Sequence, residues 1–145
     1  MTLKIPQIIK KVDKEDEIKF KDKEKNNRIR WIEHKEKEIL YIDYSNFPNT
    51  DVTINTILEV NDYVKKLGKY DLLMLVDVRK SYADEKIVVE ALKNNALTVK
   101  PYVKKVAVVG VSRTQEVILT VVNMFSSLGI KPFDNVDDAK DWLIE

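Results

Sequence analysis

The chain has 145 residues, of which 34% are charged and 44% hydrophobic, as expected of one globular domain with its own core. Its 25 basic and 24 acidic residues leave a formal net charge of +1, which gives no overall field to attract nucleic acid or an anionic membrane. It contains no cysteine, which excludes disulfides, thiol nucleophiles and thiolate metal sites.

The first 27 residues differ in composition from the rest. Four apolar residues recur there at helical spacing: Ile5, Ile8, Ile9 and Val12. Residues 13–27 are mostly lysine and acidic residues, which offer too little apolar surface to fold alone. We expect residues 1–27 to form a charged arm, either solvated or laid on the domain as a short helix, and residues 28–145 to form the domain. No stretch is apolar enough for a signal peptide or a membrane span, so we expect a cytoplasmic protein.

A hairpin is predicted at the start of the domain. Apolar and polar residues alternate over residues 28–32, Glu36 and Lys37 are the expected turn, and residues 39–42 form the second strand. Asp51 is the expected N-cap of a helix that ends at Gly68.

The next predicted elements are a buried strand over residues 72–76 and a helix capped by Ser81. The apolar face of that helix consists of Ile87, Val88, Ala91 and Leu92.

The clearest unit lies between Lys100 and Ser127. A β-branched run over residues 106–111 is typical of a buried parallel strand. Ser112 and Gln115 have the spacing of a capping box, in which each side chain satisfies a backbone donor of the other residue. The following helix is predicted to be amphipathic from apolar residues at helical spacing: Val117, Ile118, Val121, Val122, Phe125 and Leu128.

Two short elements complete the chain. Residues 130–133 form a strand that Pro132 restricts to a sheet edge or a strand end, and Asn135 with Asp138 caps a last helix. The order is a hairpin, then helix and strand alternating three times, then a helix. This order predicts an α/β fold with parallel pairing and right-handed crossovers.

The sequence gives only weak signals for a catalytic, metal or anion site. The glycines stand alone, so no glycine-rich phosphate loop is present, and only a weak anion site at Ser112 and Thr114 is suggested. His34, the sole histidine, is expected to be solvated rather than to bind a metal. Asp43 and Asp77 lie near the carboxyl ends of predicted strands, where they could hold Mg²⁺ but more often start a turn.

Hydroxyl groups precede three of the predicted turns or helices. Ser81, Ser112 and Thr114 are each either a phosphate acceptor at a helix N-terminus or an ordinary cap. No serine has the surroundings of a nucleophile. We expect no catalytic residue, no metal and no cofactor.

The element order, together with the segments KPYVKKVAVVGVS, VVNMFSSLGIKPFD and DDAKDWL, resembles the small bacterial SpoIIAA-like proteins of the STAS/SEC14 group. The resemblance covers about Ile29 to the C-terminus. It implies a mixed sheet of about five strands with an N-terminal antiparallel hairpin, and about four helices.

This resemblance also implies where a site would lie. In the anti-sigma factor antagonists, which are protein-binding switches, a serine in an Asp-Ser-Ser/Thr-Gly run is phosphorylated. The corresponding region here is DVRKSYAD, residues 77–84, in which Ser81 is the nearest hydroxyl but the motif is absent. Asp84 and Glu85 would repel a phosphate. The SEC14-type lipid carriers enclose their ligand with a longer chain, so this chain would need a smaller pocket or one shared across a dimer.

Two functions of different kinds remain. The first is a non-enzymatic interaction module that docks a protein partner through the predicted helix over residues 81–92 and the turn before it. Its candidate contact residues are Arg79, Ser81, Tyr82, Asp84 and Glu85. The second is a carrier or sensor of a small apolar or amphiphilic ligand, unless the residues that would line its pocket simply fill the core. Those residues are Tyr82, Tyr102, Met124, Phe125 and Phe133. The hairpin edge and the arm also offer a strand or a helix to a second copy, so a homodimer is a further expectation.

Overall fold

The computed structural model describes residues 28–81 and 86–145, which form one sheet with helices on both faces. Its strands are β1 (Ile29–His34), β2 (Lys37–Asp43), β3 (Leu72–Asp77), β4 (Val103–Val109) and β5 (Lys131–Phe133). Its α-helices are α1 (Thr50–Leu67), α2 (Lys86–Val99), α3 (Arg113–Ser126) and α4 (Val136–Leu143), and a 3₁₀ helix (Lys100–Tyr102) precedes β4. The predicted arm, residues 1–27, lies outside the described residues and stays a prediction.

The strands lie in the order β1-β2-β3-β4-β5. Strands β1 and β2 pair antiparallel, and the remaining neighbours pair parallel. This arrangement confirms the predicted mixed α/β sheet with an N-terminal hairpin. Pro132 lies in the edge strand β5, where its missing N–H interrupts no further pairing.

The hairpin turn differs by one residue from the prediction. Lys37 is already in β2 and pairs with His34, so the two turn residues are Lys35 and Glu36. Both have positive φ, 51° and 71°. Two consecutive left-handed residues match the twist of the flanking strands, although neither residue type favours that conformation.

Helix α1 also begins earlier than expected. Its N-cap is Asn49, whose extended backbone lets the side chain accept a hydrogen bond from the Val52 amide at 3.0 Å. Asp51, the predicted cap, lies inside the first turn instead. The predicted end at Gly68 is confirmed, with φ of 65°.

Each face of the sheet has its own core. The larger core joins the sheet to α1 and α2 through residues that include Leu40, Ile42, Ile57, Val60, Val64, Met74, Val88, Val99 and Val106. The smaller core joins the other face to α4 through Ile39, Tyr41, Leu75, Ala107, Val109, Ala139 and Leu143. Residues of one strand alternate between the two cores, as the pleat requires.

Helix α3 packs less completely than its sequence predicts. Its capping box is confirmed, because Ser112 and Gln115 exchange side-chain to backbone hydrogen bonds. However, only Val122 and Ser126 of this helix are buried. Large apolar side chains on its outer side are exposed: Val117, Val121, Met124 and Phe125. The apolar residues of α3 therefore do not all face one core.

Candidate functional site

Three turns meet at the edge of the sheet where β2, β3 and β4 end. The Tyr44 amide donates to the Asp77 carbonyl at 2.8 Å, and the Val78 amide donates to the Val109 carbonyl at 2.9 Å. The carboxyl ends of parallel strands are where open α/β sheets bind ligands, so this edge is the first place to look for a site.

The turn after β3 lies directly against the turn after β4. Gly110 has φ of +91°, and a Cβ atom there would lie 2.3 Å from Cγ of Arg79 and 2.9 Å from its Cα. Only glycine permits both this conformation and this approach. The close contact holds the backbone of Arg79 in place.

Asp77 is the central group of the edge, and its side chain is 3% exposed. It accepts hydrogen bonds from the Arg79 amide at 3.0 Å, from Nη2 of Arg79 at 2.6 Å and from the Tyr41 hydroxyl at 2.6 Å. Burial alone would raise the pKa of Asp77, but the hydrogen bonds from Arg79 and Tyr41 outweigh it and hold that pKa below its usual value. Burial and the Asp77 carboxylate raise the pKa of Tyr41 to about 12. These hydrogen bonds keep Asp77 ionised, and both of its carboxylate oxygens accept hydrogen bonds.

Asp43 has a similar local role. Its carboxylate accepts from the backbone amide and the hydroxyl of Ser45, and Nη1 of Arg28 donates to its carbonyl at 2.9 Å. Asp43 and Asp77 therefore both start turns, which is the second of the two interpretations that the sequence left open.

Metal ligands do not gather in the described part of the chain, where no three histidine or acidic side chains come together. His34 is not simply solvated, because its Nε2 lies 2.8 Å from Oδ1 of Asp141 on α4. Hydrogen bonds from His34 and Lys35 lower the pKa of Asp141. This group connects the hairpin to α4, at the end of the sheet away from the three turns.

The predicted docking residues are only partly described. The Arg79 side chain is 55% exposed, whereas Ser81 is buried at 8% exposure. The carbonyl of Ser81 accepts a hydrogen bond from Nε2 of Gln115 at 2.7 Å, which connects this turn to α3. Tyr82, Asp84 and Glu85 lie outside the described residues. Docking or phosphorylation at residues 79–85 therefore stays a prediction.

The predicted anion site at the start of α3 also stays a prediction. Oγ of Ser112 accepts from the Gln115 amide at 3.2 Å, and the Ser112 amide donates to Oε1 of Gln115 at 2.9 Å. Thr114 is exposed in the first turn. The Ser112 hydroxyl thus caps α3, and a bound anion would compete with it for the Gln115 amide.

A cavity of about 110 Å³ lies between the sheet, α2 and α3. Its walls are mostly aliphatic and come from β2–β4 and both helices, including Met74, Val106, Val108, Ala96, Ile118, Leu119 and Val122. The polar residues among its described walls are Tyr44, Asn95 and Gln115. Helix α3 forms one wall while its opposite side is exposed.

Of the five residues predicted to line a pocket, Tyr82 lies outside the described residues and the other four are in other places. Tyr102 stacks on Tyr70 with ring centroids 5.5 Å apart, and Met124 is 79% exposed. Phe125 is 48% exposed and lies under Nζ of Lys93. Phe133 packs against the smaller core, on the other face of the sheet. None of these four is among the residues that line the cavity, so a pocket built from them stays a prediction.

The sequence reasoning missed the residues that do line the cavity. Ile118 and Val122 were assigned to the apolar face of a helix, and Leu119 was not considered. The sequence does contain a signal for a second apolar surface on α3. Val117, Ile118 and Leu119 follow one another, so the helix is apolar on more than one side. Such a helix cannot bury all its apolar residues against one sheet face.

The fold has a counterpart among solved structures. The crystal structure of an uncharacterized DUF3478-family protein with a SpoIIAA-like fold, from Shewanella loihica PV-4, matches this chain with a TM-score of 0.58 and 18% identity. The match covers 79% of this chain and 91% of that chain. At this identity the likeness shows the fold alone, and it defines an α/β protein of SpoIIAA-like fold.

The chain belongs to the SpoIIAA-like family, whose sequence pattern it matches over residues 7–144. The match begins well before Ile29, where the resemblance was expected to start. No curated protein matches the chain. Within residues 28–81 and 86–145, no helix is long and apolar enough to cross a membrane.

Proposed function

We propose that this chain is a non-enzymatic, cytoplasmic regulatory module that binds a small apolar ligand in the cavity between the sheet, α2 and α3. The observation that carries the proposal is the cavity itself, with its largely aliphatic walls. Binding sites for small molecules are typically apolar hollows with a few polar groups, and this cavity has that composition. A non-enzymatic role is supported by the sheet edge, where Asp77 and Ser112 are engaged in structural hydrogen bonds.

The cavity limits the size and charge of its ligand. An engineered apolar cavity of about 150 Å³ in another protein takes up benzene, so a cavity of about 110 Å³ suits a molecule of similar or smaller size. Among the described residues, no Asp, Glu, Lys, Arg or His lines it. Burial, with a smaller effect from Glu59, raises the pKa of Tyr44, which keeps that hydroxyl neutral. Because burying an unpaired charge is costly, the part of the ligand inside the cavity is uncharged.

The test compares two substitutions that each introduce phenylalanine on a helix beside the cavity. Val122→Phe fills the cavity, because Val122 is 4% exposed and lines it. Leu97→Phe is the control, because Leu97 on α2 is 45% exposed and is not among the lining residues. Benzene, toluene and n-butane serve as neutral probes, and acetate and butylammonium as charged ones. Binding is measured by the shift in melting temperature and by NMR chemical-shift changes at cavity residues.

We expect the neutral probes to bind the unmodified chain and Leu97→Phe, but not Val122→Phe. A probe present at 100 times its Kd would stabilise the fold by about 2.7 kcal/mol. Ile118→Phe, on a partly buried residue of the same wall, replaces Val122→Phe if that variant does not fold. Absence of any shift with the neutral probes, or equal binding by the filled variant and the control, would contradict the proposal.

A second candidate, the docking of an acidic segment of a partner protein, is favoured by the turn after β3. Arg79 and Lys80 are exposed basic residues there, and the Asn46 amide fixes the Arg79 carbonyl at 3.2 Å. An ordered basic turn suits an acidic partner, since little ordering is needed on binding. Lys80→Glu tests it, because Arg79 is needed to hold Asp77. Lys66→Glu is the matched control, since Lys66 is also exposed. Docking is supported if the unmodified chain and Lys66→Glu bind a partner that Lys80→Glu does not bind. Binding by all three would contradict it.

A further inference from the structure

The outer side of α3 carries a group of exposed apolar side chains. Seven large hydrophobic side chains are exposed in residues 28–81 and 86–145, and four of them lie on this one helix. Val117 is 66% exposed, Val121 40%, Met124 79% and Phe125 48%. Contiguous apolar surface of this kind marks interaction sites.

The charges on α3 are confined to one end. Its charged residues are Arg113 and Glu116, both in the first turn, and no charged residue follows them up to Ser126. A partner surface that covers the rest of the helix must therefore be uncharged and apolar. The outer side of α3 itself has this chemistry.

The spacing of the exposed residues gives the geometry of such a contact. Val117, Val121 and Phe125 are four residues apart, so they form one ridge along the helix. Val121 lies midway along this ridge. When two copies of α3 pack antiparallel about a twofold axis at Val121, Val117 of each copy faces Phe125 of the other. The helix dipoles then oppose each other, and Arg113 of each copy lies towards the carboxyl end of the other helix, where a cation is favoured.

We propose that this face binds a second copy of the chain, and that α3 packs antiparallel against α3 of that copy with Val121 at the twofold axis. A twofold contact requires one surface that is complementary to itself, and a ridge whose own side chains are uncharged and apolar meets this requirement. Lys93 of α2 contacts this ridge at one end only, over the Phe125 ring. The proposal is independent of ligand binding, because Val117, Val121 and Phe125 are not among the residues that line the cavity. It also differs from the hairpin edge and the arm that the sequence suggested for self-association.

The oligomeric state is the first test. We expect sedimentation equilibrium on the full chain to show a monomer–dimer equilibrium that Val121→Glu shifts to monomer, because the substitution brings two carboxylates together at the axis. Tyr70→Glu is the control, since Tyr70 is 67% exposed but lies outside α3. A monomer at every concentration, or a dimer that Val121→Glu leaves intact, would overturn the proposal.

Cysteine cross-linking tests the orientation, and the chain has no native cysteine to interfere. Helix axes about 9–10 Å apart and a Cα radius of about 2.3 Å place the two Cα atoms of residue 121 roughly 4–5 Å apart, within disulfide range. The two Cα atoms of residue 117 are then about 12 Å apart along the axis, since eight residues at 1.5 Å each separate them. We expect mild oxidation to cross-link Val121→Cys and not Val117→Cys. Equal cross-linking of both variants would exclude the antiparallel contact.

Discussion

Substitution of Gly110 by alanine should destabilise the fold more than alanine at any other glycine. Two costs add at this position. An L-residue in the left-handed region costs about 1–2 kcal/mol, and the backbone of Gly110 has φ of +91°. In addition, the new Cβ would lie 2.9 Å from both N and Cα of Arg79, so the backbone of the β3 turn must move. Forcing extra atoms into a packed site costs about 1–3 kcal/mol, which gives a total of about 2–5 kcal/mol.

Gly129→Ala separates the two costs. Gly129 has φ of +74° and nothing within 4 Å of an added Cβ, so it incurs only the conformational cost. Urea unfolding followed by circular dichroism gives the free energy of unfolding of both variants. We expect Gly110→Ala to lose about 1–3 kcal/mol more than Gly129→Ala. Equal losses would show that the turns after β3 and β4 are not packed as closely as the structure has them.

Three further predictions concern stability. Because the pKa of Asp77 is held below its usual value, its stabilisation is complete above about pH 4 and is lost as the pH falls further. Asp77→Asn should therefore cost about 2–3 kcal/mol at neutral pH, and the difference should shrink in urea titrations below pH 4. The pKa of Tyr41 is raised to about 12, so the stability that its hydroxyl contributes is complete below about pH 10 and is lost towards pH 12. Tyr41→Phe should remove this loss of stability at alkaline pH, measured by urea titrations. Glu36 has φ of 71°, and Glu36→Gly should raise the free energy of unfolding by about 0.5–1 kcal/mol, seen as a higher urea midpoint.

The strands and caps were predictable because their signals are local. Alternation indicated β1, the apolar run at residues 39–42 after a turn indicated β2, an unbroken β-branched run indicated β4, and Ser112 with Gln115 indicated the start of α3. The turn at Lys35 and Glu36 was displaced by one residue because neither side chain marks a left-handed backbone. The cap at Asn49 was missed since Asp51 is an equally good capping residue by type, and only the backbone shows which of them is extended.

The candidate site was less predictable, because it depends on how elements pack. The sequence placed Asp77 at a strand end but could not show that Tyr41 and Arg79 both donate to it. It selected Tyr102 and Phe133 for a shared pocket because both are aromatic. The structure places them against different cores, on opposite faces of the sheet. Residue type alone does not specify the face, since a shift of one position along a strand reverses it.

Helix α3 explains why one stretch supports two different proposals. Ile118 and Val122 line the cavity, while Val117 and Val121 are exposed on its other side. A helix with apolar residues on two sides needs a second covering surface, either a ligand that fills the gap beneath it or a protein above it. The two surfaces share one helix, so any movement of α3 on ligand binding would alter the dimer contact. By linkage, a ligand that changes dimer affinity must have its own affinity changed by dimerisation to the same extent, and a factor of one would mean that the two binding events are independent.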